Sequence, residues 1–239
     1  HCSIGLIGAP GTGKTSIARI VAKVLKCPFS KIELGNVVAE HLRGSLPVYL
    51  SSEPSIISKK LIEMKVKNGI MLFDELEKVD GNTGVVESLI HLTDTSQNFS
   101  FEDLYFRGIK QDLSNLWFFY SMNKKPSNNA LADRIYYVQI QPYTFQDKVQ
   151  IVKNYLLKQS INNLKLKKNS IKFNDKAIEL LINTVSKDEK GVRTLKHSVN
   201  RIVNRIHFLS TNISTSYTIK RKIRYPCSIN KKEMCQLLK

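Results

Sequence analysis

Apolar positions recur along this chain in two rhythms, and the change from one to the other divides it near residue 142. Ser3-Ile4-Gly5-Leu6-Ile7 is an apolar run of strand length. Ser16 to Leu25 follows with apolar residues at 17, 18, 20, 21, 22, 24 and 25, the spacing of a helix. Pro28 to Leu34 reads as a second strand, ended by Gly35. Residues 36–52 read as irregular, with turns at Arg43-Gly44 and Leu46-Pro47, and Val48-Tyr49-Leu50 forms an exposed-looking apolar island among them. Glu53-Pro54 opens a helix to about Lys67, with proline where a missing N–H is harmless, and Asn68-Gly69 stops it.

Ile70-Met71-Leu72-Phe73 is apolar at every position, as a parallel strand buried on both faces requires. Thr83 to Asp94 has helical spacing again. Residues 96–112 are polar with interspersed Phe99, Phe101, Tyr105 and Phe106, and a short strand or hairpin is expected near Tyr105–Ile109. Leu116 to Met122 and Ile135 to Ile140 complete the strands, separated by a short helix from Ala130 to Arg134. Strands alternating with helices predict a parallel sheet.

Beyond Gln141-Pro142 the pattern is helical. Thr144-Phe145-Gln146-Asp147 resembles a capping box opening a helix to about Ser160, and residues 162–169 read as a basic loop. Ile171-Lys172-Phe173 is a brief extended piece. Asn174 caps a helix to about Ser186, and Gly191-Val192-Arg193 starts a long one with apolar residues at 192, 195, 199, 202, 203, 206 and 209. Tyr217 to Arg224 alternates, and a last helix is expected from Ile229. The predicted organisation is an α/β core over residues 1–142 and a small, mostly α-helical lid over residues 143–239.

Candidate chemistry sits at the strand ends. Gly8-Ala9-Pro10-Gly11-Thr12-Gly13-Lys14-Thr15 fits the phosphate-cradling pattern G-x-x-x-x-G-K-[ST], between a strand and a helix continuing through Ser16. Glycines let backbone N–H groups close on phosphate oxygens, and the helix N-terminus adds its positive end. Lys14 would reach the β- and γ-phosphates, and the Thr15 hydroxyl would ligate Mg²⁺. Asp74 and Glu75 end an apolar strand. Asp74 would hold Mg²⁺ through water, and Glu75 would polarise the water that attacks the γ-phosphate. Asn123 ends another strand, where an amide can orient that water and sense the γ-phosphate; by itself it reads as a loop residue. Arg134 by itself reads as a surface arginine. Arg193 in the first turn of a helix is poorly placed for the helix dipole, which suggests that it serves an anion.

Composition narrows the picture further. The chain has 239 residues and a net charge of +17, of which residues 143–239 carry +15 from 21 Lys and Arg against 6 Asp and Glu. That excess suits DNA or acidic proteins, or else a solvated surface; no base-reading motif accompanies it. Four scattered cysteines, Cys2, Cys27, Cys227 and Cys235, suit a reducing intracellular compartment, cytoplasmic or an organelle matrix. No apolar run reaches membrane-spanning length, so no membrane association is expected, and the five histidines suggest no structural metal.

In order and spacing, the phosphate loop, Asp74-Glu75, Asn123, Asp133-Arg134 and Gly191-Val192-Arg193 resemble the AAA+ ATPases. More narrowly, the chain resembles the ATPase module of Lon proteases over nearly its whole length. The similar segments are Leu42-Arg43-Gly44 through Tyr49 to Pro54, Ser96-Gln97-Asn98 with Phe101-Glu102-Asp103 and Asp112-Leu113-Ser114, and Gly191 to Leu195. The resemblance implies a P-loop core with a parallel five-stranded sheet between helices, binding ATP and Mg²⁺ in a homo-oligomeric ring, expected to be a hexamer. It implies a Walker B pair in Asp74 and Glu75, sensor 1 in Asn123, a trans arginine finger in Arg134 and sensor 2 in Arg193. Tyr49, with Leu50 beside it, would grip unfolded protein in a pore. The chain departs from the family at Lys78–Gly84, where a second pore loop lacks its aromatic, and at Ser51-Ser52-Glu53 in place of glycines. A Ser-Lys peptidase is expected only of a longer parent.

Overall fold

The computed structural model describes residues 3–211 and 223–238. They form two units, one of residues up to 9 and 13–140, the other of residues 10–12 and those from 141 onward.

In chain order the first unit contains strand β1 (Ser3–Ile7), helix α1 (Lys14–Leu25), β2 (Phe29–Glu33), α2 (Ala39–Arg43), α3 (Ile56–Met64), β3 (Ile70–Asp74), α4 (Thr83–Thr93), β4 (Phe101–Glu102), β5 (Lys110–Gln111), β6 (Trp117–Met122), α5 (Asn129–Ala132) and β7 (Ile135–Gln139). Five strands form an all-parallel sheet in the order β2-β3-β6-β1-β7. The unbroken apolar run of β3 follows from its place inside this sheet. Ile70 and Leu72 face one side, with Leu6, Ala18, Ala22 and Phe119; Met71 and Phe73 face the other, with Ile32, Leu89, Phe118 and Tyr120. Helices cover both faces, as a parallel sheet requires. The order also places the C-terminal ends of β3, β6 and β1 side by side, about 5 Å apart. Ligands bind at those ends in open α/β sheets.

Several expected boundaries shift for local reasons. The stretch 36–52 is not wholly irregular, because Ala39–Arg43 is helical with Leu42 fully buried. Helix α3 starts after Ser55, whose side chain caps Ser58 N–H, so Pro54 lies ahead of the helix. The helix stops at Lys65 in a left-handed conformation (φ 60°), short of Asn68-Gly69. The hairpin exists, but Tyr105–Ile109 is in its loop: the paired residues are 101–102 and 110–111.

The second unit contains α6 (Phe145–Ile151), a π turn (Val152–Leu156), α7 (Leu157–Asn163), β8 (Ile171–Phe173), α8 (Asp175–Val185), α9 (Arg193–Thr211), β9 (Cys227–Ile229) and α10 (Lys231–Leu238). Thr144 caps α6 reciprocally with Asp147. The π turn carries the helical path through to Asn163, past the expected stop at Ser160. Leu195, Val199, Ile202, Val203 and Ile206 line the buried stripe of α9 and pack with Ile178, Leu181 and Ile182. Asn174 stands at the start of α8, yet its side-chain oxygen accepts from Ser228 Oγ at 2.6 Å instead of capping the helix. Ile229 does not open a helix. It ends β9, which pairs in parallel with β8, and Asn230 and Glu233 cap α10 reciprocally. Residues 217–222 of the alternating stretch lie outside the described residues.

Candidate functional site

The phosphate-loop pattern folds as a tight turn out of β1. Gly13 takes φ 88°, a left-handed conformation open to glycine at little cost, and stands at the N-cap of α1. Lys14 then begins the helix and turns its side chain back. Its ammonium donates to Gly8 O at 2.7 Å, Ala9 O at 3.0 Å and Asn123 Oδ1 at 2.9 Å, so all three donors are engaged. Burial holds the Lys14 pKa below the ordinary lysine value, against the opposing pull of Glu77 and Asp74.

Asp74, at the tip of β3, is the most connected carboxylate of the site. Thr15 Oγ1 donates to its Oδ2 at 3.3 Å, Lys31 Nζ ion-pairs with the same oxygen at 2.7 Å, and Ser121 Oγ donates to Oδ1. Burial alone would raise its pKa. The hydrogen bonds from Lys31, Ser121 and Thr15 and the Lys31 charge more than offset that, leaving it below the ordinary aspartate value. Its ionised carboxylate beside the Thr15 hydroxyl is a hard-oxygen donor pair, which fits Mg²⁺. Lys31 contacts Asp74 from β2 because Glu33 pairs with Asp74 in register, placing Lys31 one alternation back on the neighbouring strand.

Glu75, the next residue, adopts φ 65° and ψ 47°. A non-glycine residue in this region costs about 1–2 kcal/mol, and such strain concentrates at functional positions. Its carboxylate is half-exposed and ion-pairs with Lys78 at 3.0 Å. Asn123 directly follows β6. Its backbone N–H donates to Glu77 Oε2 at 3.2 Å, and its side-chain amide donates to Glu77 Oε1.

The remaining candidates make none of these bonds. Arg134 precedes β7, where one guanidinium nitrogen donates to Ala130 O at 2.7 Å and another ion-pairs with Asp94 at 3.6 Å. Arg193 opens α9 in the second unit. There Val192 N–H donates to Gly11 O at 3.0 Å, and a Cβ on Gly191 would stand 2.2 Å from Pro10 O, so only glycine fits that position. Tyr49 and Leu50 are 63% and 111% exposed, large apolar groups at the surface.

The loop that carries Tyr49 and Leu50 has a rigid base. Ser45 N–H donates to Glu53 O at 3.1 Å and Glu53 N–H to Ser45 Oγ at 2.8 Å. Beneath it, fully buried Asp103 accepts from Ser55 N–H, Ser58 Oγ and Tyr105 N–H at 2.9, 2.5 and 2.9 Å. Asp103→Ala takes the acceptor from the buried Ser55 N–H and the part-buried Tyr105 N–H, and leaves Ser58 Oγ only Gln111 Oε1 at 3.1 Å. Urea unfolding should show a loss of about 3 kcal/mol, while Asp103→Asn, which keeps an acceptor, should lose less.

Lys31, Ser121 and Glu77 were not singled out in the sequence. Lys31 and Ser121 lie inside strands, where only the register reveals their partner. Glu77 carried a signal, the third carboxylate within Asp74-Glu75-Leu76-Glu77.

Residues 4–125 match the family described as the ATPase family associated with various cellular activities (AAA). The chain is also similar to Lon proteases of Lachnoclostridium phytofermentans (36% identical over 85% of this chain and 25% of that protein) and Rickettsia bellii (36% over 84% and 26%). The Lon protease of Clostridioides difficile is 35% identical over 85% of this chain and 26% of its own length. The chain thus spans about a quarter of the length of these curated relatives. Among the described residues no helix is long and apolar enough to cross a membrane.

Proposed function

The chain belongs to the AAA family of ATPases, and from that premise we propose that it is the ATP-hydrolysing module of a Lon-like ATP-dependent protease, working in a hexameric ring to unfold and translocate protein. The observation that carries this reading is the joining of three adjacent strand ends by side chains. Lys14 links the loop after β1 to Asn123 after β6, and Thr15 links it to Asp74 at the end of β3.

The loop from Gly8 to Ser16 cradles the triphosphate with backbone N–H groups other than those of Pro10, which has none, and Gly8, whose N–H is held by Met122 O, and Lys14 shifts from its carbonyl partners to phosphate oxygens. Thr15 and Asp74 hold Mg²⁺, which when bound neutralises charge on the phosphate oxygens. Lys31 keeps Asp74 aimed and ionised. Glu75, next to Asp74 and half-exposed, takes the proton of the attacking water. Asn123 orients that water, and Arg193 has the sensor 2 role. Arg134 is held by its own chain at Ala130 and Asp94, on the side of β1 away from β3. It acts on the site of the next subunit.

Tyr49 and Leu50 supply the grip on substrate. Exposed apolar side chains on a loop with a braced base can push on a polypeptide without collapsing inward. Tyr49→Ala should therefore leave ATP turnover intact and abolish ATP-driven unfolding of a tagged fluorescent substrate. Unfolding at the parent's rate would remove Tyr49 from the mechanism.

A further inference from the structure

We infer that Glu77 is a positioning residue that fixes which end of the Asn123 amide faces the reaction, so that Asn123 works as a hydrogen-bond acceptor and not as a donor. The inference rests on the ATPase reading above.

An asparagine side chain has one donor end and one acceptor end, and its neighbours decide which way each faces. Here two charged neighbours settle it independently. Glu77 is a carboxylate and can only accept, so the amide nitrogen must face it. Lys14 is an ammonium and can only donate, so Asn123 Oδ1 must face it, at 2.9 Å. The grip of Glu77 is two-pointed: Oε1 accepts from the side-chain amide and Oε2 from the backbone N–H of the same residue, at 3.2 Å. Charge-assisted bonds of this kind are roughly twice as strong as neutral ones, so the amide is not free to turn over.

This has a chemical consequence. Once Lys14 swings to a phosphate, the group left facing the site is a carbonyl oxygen. A carbonyl oxygen cannot donate to the γ-phosphate. It can accept a hydrogen from the attacking water, directing the water's lone pair at phosphorus while Glu75 takes the other proton. Glu77 therefore contributes to the chemical step through Asn123 without touching substrate. The next helical turn brings its carboxylate there, because Glu75 is left-handed and Leu76–Val79 follow as a 3₁₀ turn.

The test reverses the polarity of the pair. Glu77→Gln is isosteric but loses the charge and lets the amide turn, so kcat should fall about tenfold or more with KM for ATP little changed. Asn123→Asp sets two carboxylates against each other and should fall further. In the double variant, the new glutamine donates to the new aspartate and accepts from its backbone N–H, so the hydrogen bonds are rebuilt with an acceptor again facing the site. That variant should regain at least tenfold over Asn123→Asp alone, a rescue that a purely structural role for Glu77 would not produce. A second readout is independent of turnover: the side-chain amide resonances of Asn123 should shift in Glu77→Gln. Unmoved resonances and kcat in Glu77→Gln, or a double variant no faster than Asn123→Asp, would overturn the assignment. A parent ring without ATP turnover would overturn the ATPase reading instead, and the amide resonances would still decide the role of Glu77.

Discussion

Glu75→Gln is expected to slow ATP turnover by about 10²–10⁴-fold while leaving nucleotide affinity nearly unchanged. The substitution keeps the shape of the side chain and removes only its ability to take a proton. Affinity should survive because the groups assigned to phosphate are elsewhere: Lys14 is held at Gly8, Ala9 and Asn123, and Asp74 at Thr15, Lys31 and Ser121. Glu75 takes part in none of these bonds; its ion pair is with Lys78. Titration with a fluorescent nucleotide and a phosphate-release assay on the same preparation separate the two effects. Equal turnover in variant and parent would mean that Glu75 is not the base, and near-zero turnover in both would favour a module that binds nucleotide without hydrolysing it.

Arg134→Ala should cost about 10³-fold or more in the assembled ring, the scale of losing an arginine that neutralises charge in phosphoryl transfer. In dilute monomer the same change should do almost nothing. The difference follows from where the side chain is held. Its bonds are to Ala130 and Asp94, beside the strand at the far end of the sheet from β2 and β3, and not to the phosphate loop of its own chain. An equal loss in monomer and ring would place Arg134 in its own subunit's site or in the folding of α5.

The sheet was legible in the sequence because β1, β3, β6 and β7 are short, mostly apolar runs, β2 alternates, and β3 is apolar on both faces. The phosphate loop and Asp74-Glu75 were legible because their chemistry is contiguous in the chain. What was hidden depended on pairing at a distance. Lys31 reads as a charged residue in an alternating strand until the register sets β2 beside Asp74. Asn174 has the right residue type for a cap, and Ser228 competes successfully for its oxygen. The strand at Cys227–Ile229 is three residues long and exists only because β8 is there to pair with it. Pro54 suggested a helix start, but the Ser55 hydroxyl supplied the better cap one residue later.

The phosphate loop is thus proposed to be half of a site whose other half belongs to the neighbouring subunit, and mixing two inactive variants tests this most directly. A ring containing both Glu75→Gln and Arg134→Ala subunits has interfaces where an intact Glu75 meets an intact Arg134, about a quarter of them if the subunits assemble at random in equal amounts. Trans completion predicts that the mixture hydrolyses ATP well above either variant alone, at roughly that fraction of the parent rate. A mixture no more active than its components, in rings shown to contain both, would contradict it.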